Sequence, residues 1–351
     1  MKAFRKRWLG LLAVFIIPMS ANAHFYCVTT ASDLHAALTD ASTPTSSGGH
    51  NGEQNTIALV ANVYFADTTF SYSSTSTSGY LIMEGGFPPN CSGPIVENAF
   101  ETVLDGEHNK PVLRLNGNAE IAVYNLTVQN GSTSEVGGGM SINYVPGYKS
   151  TVLVQQCVIR TNHSNFNGGG LAVGADGSGV ILTIANNLIY GNSADGQYGA
   201  GAIFHSSGAV VSFYSNTVVG NAASQAPNNG GVMFDLPGFT SLQNNIVYDN
   251  AGSDLYINGN NASLGHNDYH VLAGLSPAMS FGNQTVSPQF VSTANQDYRL
   301  LGTSPLLGAS PESGVHAATD IVGHSYPGGG FVDLGAYEET IFRHGFDPPP
   351  I

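Results

Sequence analysis

Charge is what this 351-residue chain has least of: Lys, Arg, Asp and Glu together make up 10% of it. Helical bundles draw their solubility from such residues. Their scarcity, beside 44 Gly and abundant Ser, Thr and Asn, points to a β surface. Basic residues are rarer still, ten against 24 acidic, and four of the ten (Lys2, Arg5, Lys6, Arg7) precede residue 24. Without that leader six basic residues oppose 24 acidic ones, a net charge of about −18. Nucleic acid is thereby excluded as a partner, since phosphate binding needs a basic surface, and a polyanionic glycan would need bridging cations. After Met19 no stretch reaches the 18 or more apolar residues of a membrane-spanning helix. Three cysteines are too few for a scaffold built on disulfides.

The exception to the missing apolar runs is at the start. A basic region from Lys2 to Arg7, an apolar core from Trp8 to Met19 and Ala21-Asn22-Ala23 read as a secretory signal peptide, with a mature chain beginning at His24. Export carries Cys27, Cys91 and Cys157 into an oxidising compartment. Cys27 and Cys91, outside the repeats described next, are the expected disulfide; closing so long a loop stabilises by roughly 4 kcal/mol on the chain-entropy model. Cys157 stands inside a repeat and is expected as a buried free thiol.

What the chain has in excess is repetition. From Ile121 to Asn250 a polar residue and an Asn five positions later recur as Asn125/Asn130, Cys157/Asn162, Asn187/Asn192, Asn216/Asn221 and Asn245/Asn250, in steps of 32, 30, 29 and 29 residues. Gly139, Gly170, Gly201 and Gly231 keep the same step, each before an apolar group. A period of this size marks a repeat architecture. Apolar columns lie three residues before the first polar column (Ala122, Val154, Ile184, Phe213, Leu242) and two after it (Thr127, Ile159, Ile189, Val218, Val247). They are five apart, so a straight strand of period two cannot turn both inward, and the chain must bend between them. Coils of three short strands stacked in parallel meet that demand, with each bend Asn bonded to the Asn of adjacent coils. The expected fold is all-β, a parallel β-helix. One short amphipathic helix, Ala31 to Ala41 with Ser32 or Asp33 as N-cap, is expected to close its open end.

Asn187-Leu-Ile-Tyr-Gly-Asn192, with its trailing Gly-rich loop, resembles repeats of right-handed parallel β-helix proteins of the pectate-lyase-like superfamily. Ser287-Pro-Gln-Phe-Val291, Asp297-Tyr-Arg-Leu300, Thr303-Ser-Pro-Leu306 and Val332-Asp-Leu-Gly-Ala-Tyr-Glu338 resemble, in order, the choice-of-anchor Q signature of secreted bacterial β-helix proteins. The resemblance implies a right-handed solenoid and implies no particular activity. The final Ile341 to Asp347 and three prolines are similar to tails of exported Gram-negative proteins, which implies an extracellular or cell-surface location. The expected organisation is a leader at 1–23, cap and first coils at 24–100, repeats at 101–270, last coils and the Q-like region at 271–340, and a tail at 341–351.

Catalytic β-helices place their chemistry on one outer face. Three residues after the first column stand Val128, Arg160, Tyr190, Val219 and Tyr248, with Asp249 beside the last. Arg160, Tyr190, Tyr248 and Asp249 are the candidate carbohydrate contacts, two tyrosines to stack on sugar rings and charges to bond hydroxyls. A lyase would need clustered carboxylates for Ca²⁺ and a basic residue near the sugar, and no carboxylate aligns beside Arg160. A hydrolase would need two carboxylates at a set separation, and Asp176, Asp195, Asp235, Asp249 and Asp254 fall in unaligned positions. His266 and His270 have metal-ligand spacing but lie in a loop sequence, so no metal is assigned. The sequence therefore favours a carbohydrate-binding or adhesive surface protein, whose partner is an extracellular polysaccharide or cell-surface glycan, over a polysaccharide lyase or hydrolase or a purely structural protein.

Overall fold

A computed structural model of the chain describes residues 23–339 except 118–119, 145–149, 176–178, 197–200, 206–208, 225–229, 236–237, 312–317 and 328–329. The proposed leader (1–22), the tail (340–351) and Asp176 lie outside the described residues.

The chain is a right-handed parallel β-helix. Each coil visits three sheets in turn. The first sheet has ten strands, from Ala23–Val28 and Gln54–Val60 to Met279–Phe281. The second has eight short strands, Val63–Phe65 to Asp268–Tyr269, and the third has eight, Phe70–Ser74 to Leu272–Gly274. All three are parallel throughout, so every coil pairs with the ones above and below it. Between the second and third sheets, four two-residue strands, Ser132–Thr133, His163–Ser164, Ser193–Ala194 and Ala222–Ala223, stack into a narrow ribbon.

Alternation places one set of side chains inside. In the first sheet Met83, Val123, Val154, Ile184, Phe213, Leu242 and Leu264 share one register and fill the core. In the second sheet Leu104, Val128, Ile159, Ile189, Val218 and Val247 do the same. Each such residue stabilises by roughly 1.5–3 kcal/mol when fully buried. Val123 and Val128 hold the inward positions that the sequence columns gave to Ala122 and Thr127.

That one-residue shift has a cause at the bends. Asn125, Gln156, Asn186, Ser215, Asn244 and His266 all have φ between 51° and 60°, the left-handed conformation that turns the chain from the first sheet to the second. The next residue forms the buried ladder: Asn187, Asn216, Asn245, Asn267 and Asn283. Asn187 accepts the Cys157 N–H, and each later amide oxygen accepts the backbone N–H and the side-chain amide of the preceding ladder Asn, as Asn216 does from Asn187 at 3.0 Å. Asn125 is therefore a bend residue, with Leu126 and then Cys157 in the ladder register. The second bend repeats the arrangement. Asn130, Thr161, Gly191, Gly220 and Asp249 are left-handed, and Asn162, Asn192, Asn221 and Asn250 form the ladder, ending on the Asp254 carboxylate. Asn130 thus also sits one place off the ladder. Asn suits both positions, tolerating φ > 0 and pairing as donor and acceptor, so composition alone cannot tell them apart.

The glycine column keeps step because it makes room for the second ladder. A Cβ on Gly139 would stand 2.6 Å from Nδ2 of Asn162, and one on Gly170 would stand 2.8 Å from the Asn192 amide. Gly201 is displaced by one, lying within its strand opposite Leu171 and Val232.

The helix Ala31–Ser42 covers the N-terminal end with Leu34, Ala37, Leu38 and Ala41 buried. Thr30, rather than Ser32 or Asp33, is its N-cap, and Asp33 completes a capping box at the third helical position. Cys27 and Cys91 form a disulfide, and Cys157 is a buried free thiol. Among the described residues no helix is long and apolar enough to cross a membrane.

Candidate functional site

The outer column containing Arg160 is real, with one register correction. Asp105, Gln129, Arg160, Tyr190, Val219 and Tyr248 lie side by side on successive coils, so Gln129 takes the position given to Val128. They form a chain of contacts. Gln129 Nε2 donates to Asp105 at 2.7 Å, Arg160 Nε to Gln129 at 2.8 Å, Arg160 Nη1 to the Tyr190 hydroxyl at 2.9 Å, and Tyr190 to Gln296 at 3.2 Å.

This face is not open. After Gln284 the chain leaves the solenoid and folds back across the second sheet. Tyr298, Ile321, Ala336 and Tyr337 pack on the outward Val158, Leu188, Tyr190 and Val219, while Leu300, Leu306 and Leu334 pack on Ile246. Tyr190 is 2% exposed, its ring 5.0 Å from that of Tyr298. Tyr248 is half-buried against His270 and Phe290, leaving Asp249 exposed beside it. Polar contacts fasten the same segment at three of these bends. Gln156 Nε2 donates to the Thr319 and Asp320 carbonyls, Asn186 bonds the Tyr326 hydroxyl, and the Gly335 N–H donates to the Asn244 carbonyl. Arg160 and Tyr190 are thus brought together, but beneath a clamp formed by residues 286–339. A visible signal for this cover was the other outward column of the second sheet, where Val158, Leu188 and Ile246 alternate with only two threonines, Thr127 and Thr217.

The clamp encloses carboxylates. Asp320, Asp333 and Glu338 are buried. Their oxygens accept backbone N–H groups: Glu338 from Asp333, Asp320 from Glu338, Val322 and His324, and Asp333 from Gly308 and Glu339. Burial, then the neighbouring Asp333 charge, pushes the Glu338 carboxyl up to about 8. Asp320 and Asp333 are raised too, in both cases by burial first. These groups fold the clamp on itself.

The open surface is the outer face of the first sheet. A small, shallow groove of about 20 Å³ crosses its early coils, lined by the outward Tyr80, Ile82, Glu120, Ala122, Tyr124, Thr151 and Leu153. On later coils the column that begins with Tyr80, Glu120 and Thr151 continues as Ile181, Val210 and Phe239, all exposed. Glu84 and Glu120 are the carboxylates on the strands of this face, both raised by burial, Glu84 also by the neighbouring Glu97 charge. Glu120 pairs with Tyr80 and Glu84 with Tyr124, so they stand four residues apart along adjacent strands. At about 3.3 Å per residue that is roughly 13 Å, beyond the 5–9.5 Å of paired glycosidase carboxylates.

Among the described residues, Asp195, Asp235 and Asp254 lie on separate elements. Asp195 follows the narrow ribbon beside Ser224 and His163, Asp235 bonds Asn258 at the end of a third-sheet strand, and Asp254 caps the second ladder. Compared with known protein families, curated proteins and solved structures, the chain matches none of them.

Proposed function

We propose that the protein is an exported carbohydrate-binding or adhesive β-helix whose contact surface is the outer face of its first sheet around Tyr80, Ile82, Glu120, Tyr124 and Leu153. The observation that carries this reading is the groove itself: tyrosine and aliphatic side chains give a sugar ring an apolar platform, and Glu120 at its rim gives hydroxyls an acceptor. The flat, exposed column of Ile181, Val210 and Phe239 extends the platform along the solenoid axis, as a polymer ligand requires. The disulfide fits an oxidising, extracellular setting. Membership of the pectate-lyase-like superfamily and the choice-of-anchor Q character of residues 287–338 belong to the same reading. The first rests on the resemblance of Asn187–Asn192 and its repeats, the second on four segments that all fall in the clamp.

The test is a glycan array probed with the chain beginning at His24. Tyr80→Ala and Tyr124→Ala should each weaken binding by about threefold or more, the scale of one lost aromatic contact, while Tyr248→Ala leaves it unchanged. No binding to any neutral or acidic polysaccharide would overturn the reading. Release of unsaturated or reducing ends would replace it with an enzymatic one.

A further inference from the structure

The sequence assigned no metal, yet the fold assembles a ligand cluster beneath the N-terminal cap. His24 lies on the first strand, Asp40 on the helix Ala31–Ser42, and His50 just after the turn Thr45–Ser47. One ligand atom of each lies within 4.8 Å of the other two. We propose that His24, Asp40 and His50 bind a divalent transition metal, with copper(II) held most tightly.

The surroundings argue for a metal over a chance grouping. His50 Nδ1 is 2.8 Å from Glu53 Oε2, and its Nε2 faces Asp40 Oδ2, 3.6 Å away. That leaves Nε2 as the nitrogen turned into the cluster. A carboxylate on the far nitrogen of a histidine is also the usual support of a metal-bound imidazole. Asp40 is held in turn by the Tyr26 hydroxyl, which donates to its Oδ2 at 2.8 Å. The His24 and His50 rings stack with centroids 3.8 Å apart. Cis ligands about 2.0 Å from a tetragonal copper(II) lie about 2.8 Å from each other, so binding asks ligand atoms that lie within 4.8 Å to close by up to about 2 Å.

The donor set selects the metal class. Two imidazoles and one carboxylate suit copper, zinc or nickel, and the order of divalent affinities puts copper first. Calcium and magnesium, which need six or more oxygens, are poorly served. Resting on the leader reading, removal of residues 1–23 adds one more donor. The new α-amino group of His24 and its own Nδ1 close a six-membered chelate through covalent geometry alone.

The experiment is calorimetry and electron paramagnetic resonance on metal-free protein beginning at His24, titrated with copper(II), zinc(II) and calcium. One equivalent of copper with nitrogen hyperfine structure is expected, with zinc weaker and calcium silent. His50→Ala and Asp40→Asn should each weaken copper by more than about tenfold, and Glu53→Gln by about tenfold while leaving the stoichiometry at one. His35→Ala, a histidine on the outer side of the same helix paired with Asp67, should change nothing. Thermal unfolding of each metal-free variant within a few degrees of the parent shows that the cap still folds, and His50→Gln replaces any variant that does not. A chain carrying Ala23 should bind copper more weakly; equal affinity would remove the amine from the ligand set. Copper affinity indifferent to His50 and Asp40, or calcium binding in its place, would overturn the site, and neither result bears on the glycan surface.

Discussion

At the scale of the residue, Asn216 shows what one buried amide does. Its oxygen accepts the backbone N–H and side-chain amide of Asn187, and its own amide reaches the Ile184 carbonyl and Asn245. Replacing it by Ala leaves those partners without water or protein to bond. Asn216→Ala should therefore cost about 2–4 kcal/mol, read as a lower urea midpoint. Ser215→Gly should cost less, because Ser215 is a left-handed bend residue with φ 52°, a conformation glycine adopts freely. Equal losses would show that bend and ladder positions are energetically alike. The register of these residues was the hardest thing to read, since both positions favour the same side chain.

At the scale of the element, the clamp of residues 286–339 is set by burial and by its own carboxylates. Glu338 titrates near 8 in the folded chain against an ordinary value of 4.5, so the neutral form is favoured by folding. A raised folded pKa contributes stability that is complete below the ordinary value and lost as pH rises through about 8; the raised Asp320 and Asp333 act in the same direction. Hydrogen exchange of residues 318–339 should therefore quicken by more than about tenfold beyond the intrinsic pH effect between pH 6 and 9. Glu338→Gln, neutral at every pH, should flatten that dependence. Its persistence in the variant would place the sensitivity elsewhere.

At the scale of the whole molecule, the parallel coils stabilise one another through their neighbours, and the ends are where such an array opens. The Cys27–Cys91 disulfide ties the first strand to the loop between the first-sheet strand Tyr80–Phe87 and the second-sheet strand Val103–Asp105, with the two cysteines 64 residues apart. Double replacement by Ser should cost up to about 4 kcal/mol, seen as earlier melting of the N-terminal cap, with the repeats from Met140 to Asn250 less affected. Melting of all coils together would mean that the solenoid behaves as one cooperative unit. The two faces divide the labour: the second sheet carries the clamp, and the first stays open.

The period near 30 residues, the bends and the inward apolar columns are local and repetitive, so composition and spacing were enough to determine the parallel β-helix, its cap and the disulfide. The last coils escaped because they shorten, with ladder steps of 22 and 16 residues at Asn267 and Asn283. Arg160 and Tyr190 were correctly placed in one outer column, but whether that column meets solvent depends on residues more than 100 positions away. Gln296 and Tyr298 cover it through contacts that no repeat encodes. The same holds for His24, Asp40 and His50, which become neighbours only when strand, helix and turn close over the first coil. Periodicity fixes which side of a strand a residue faces, and only long-range packing decides what that side meets.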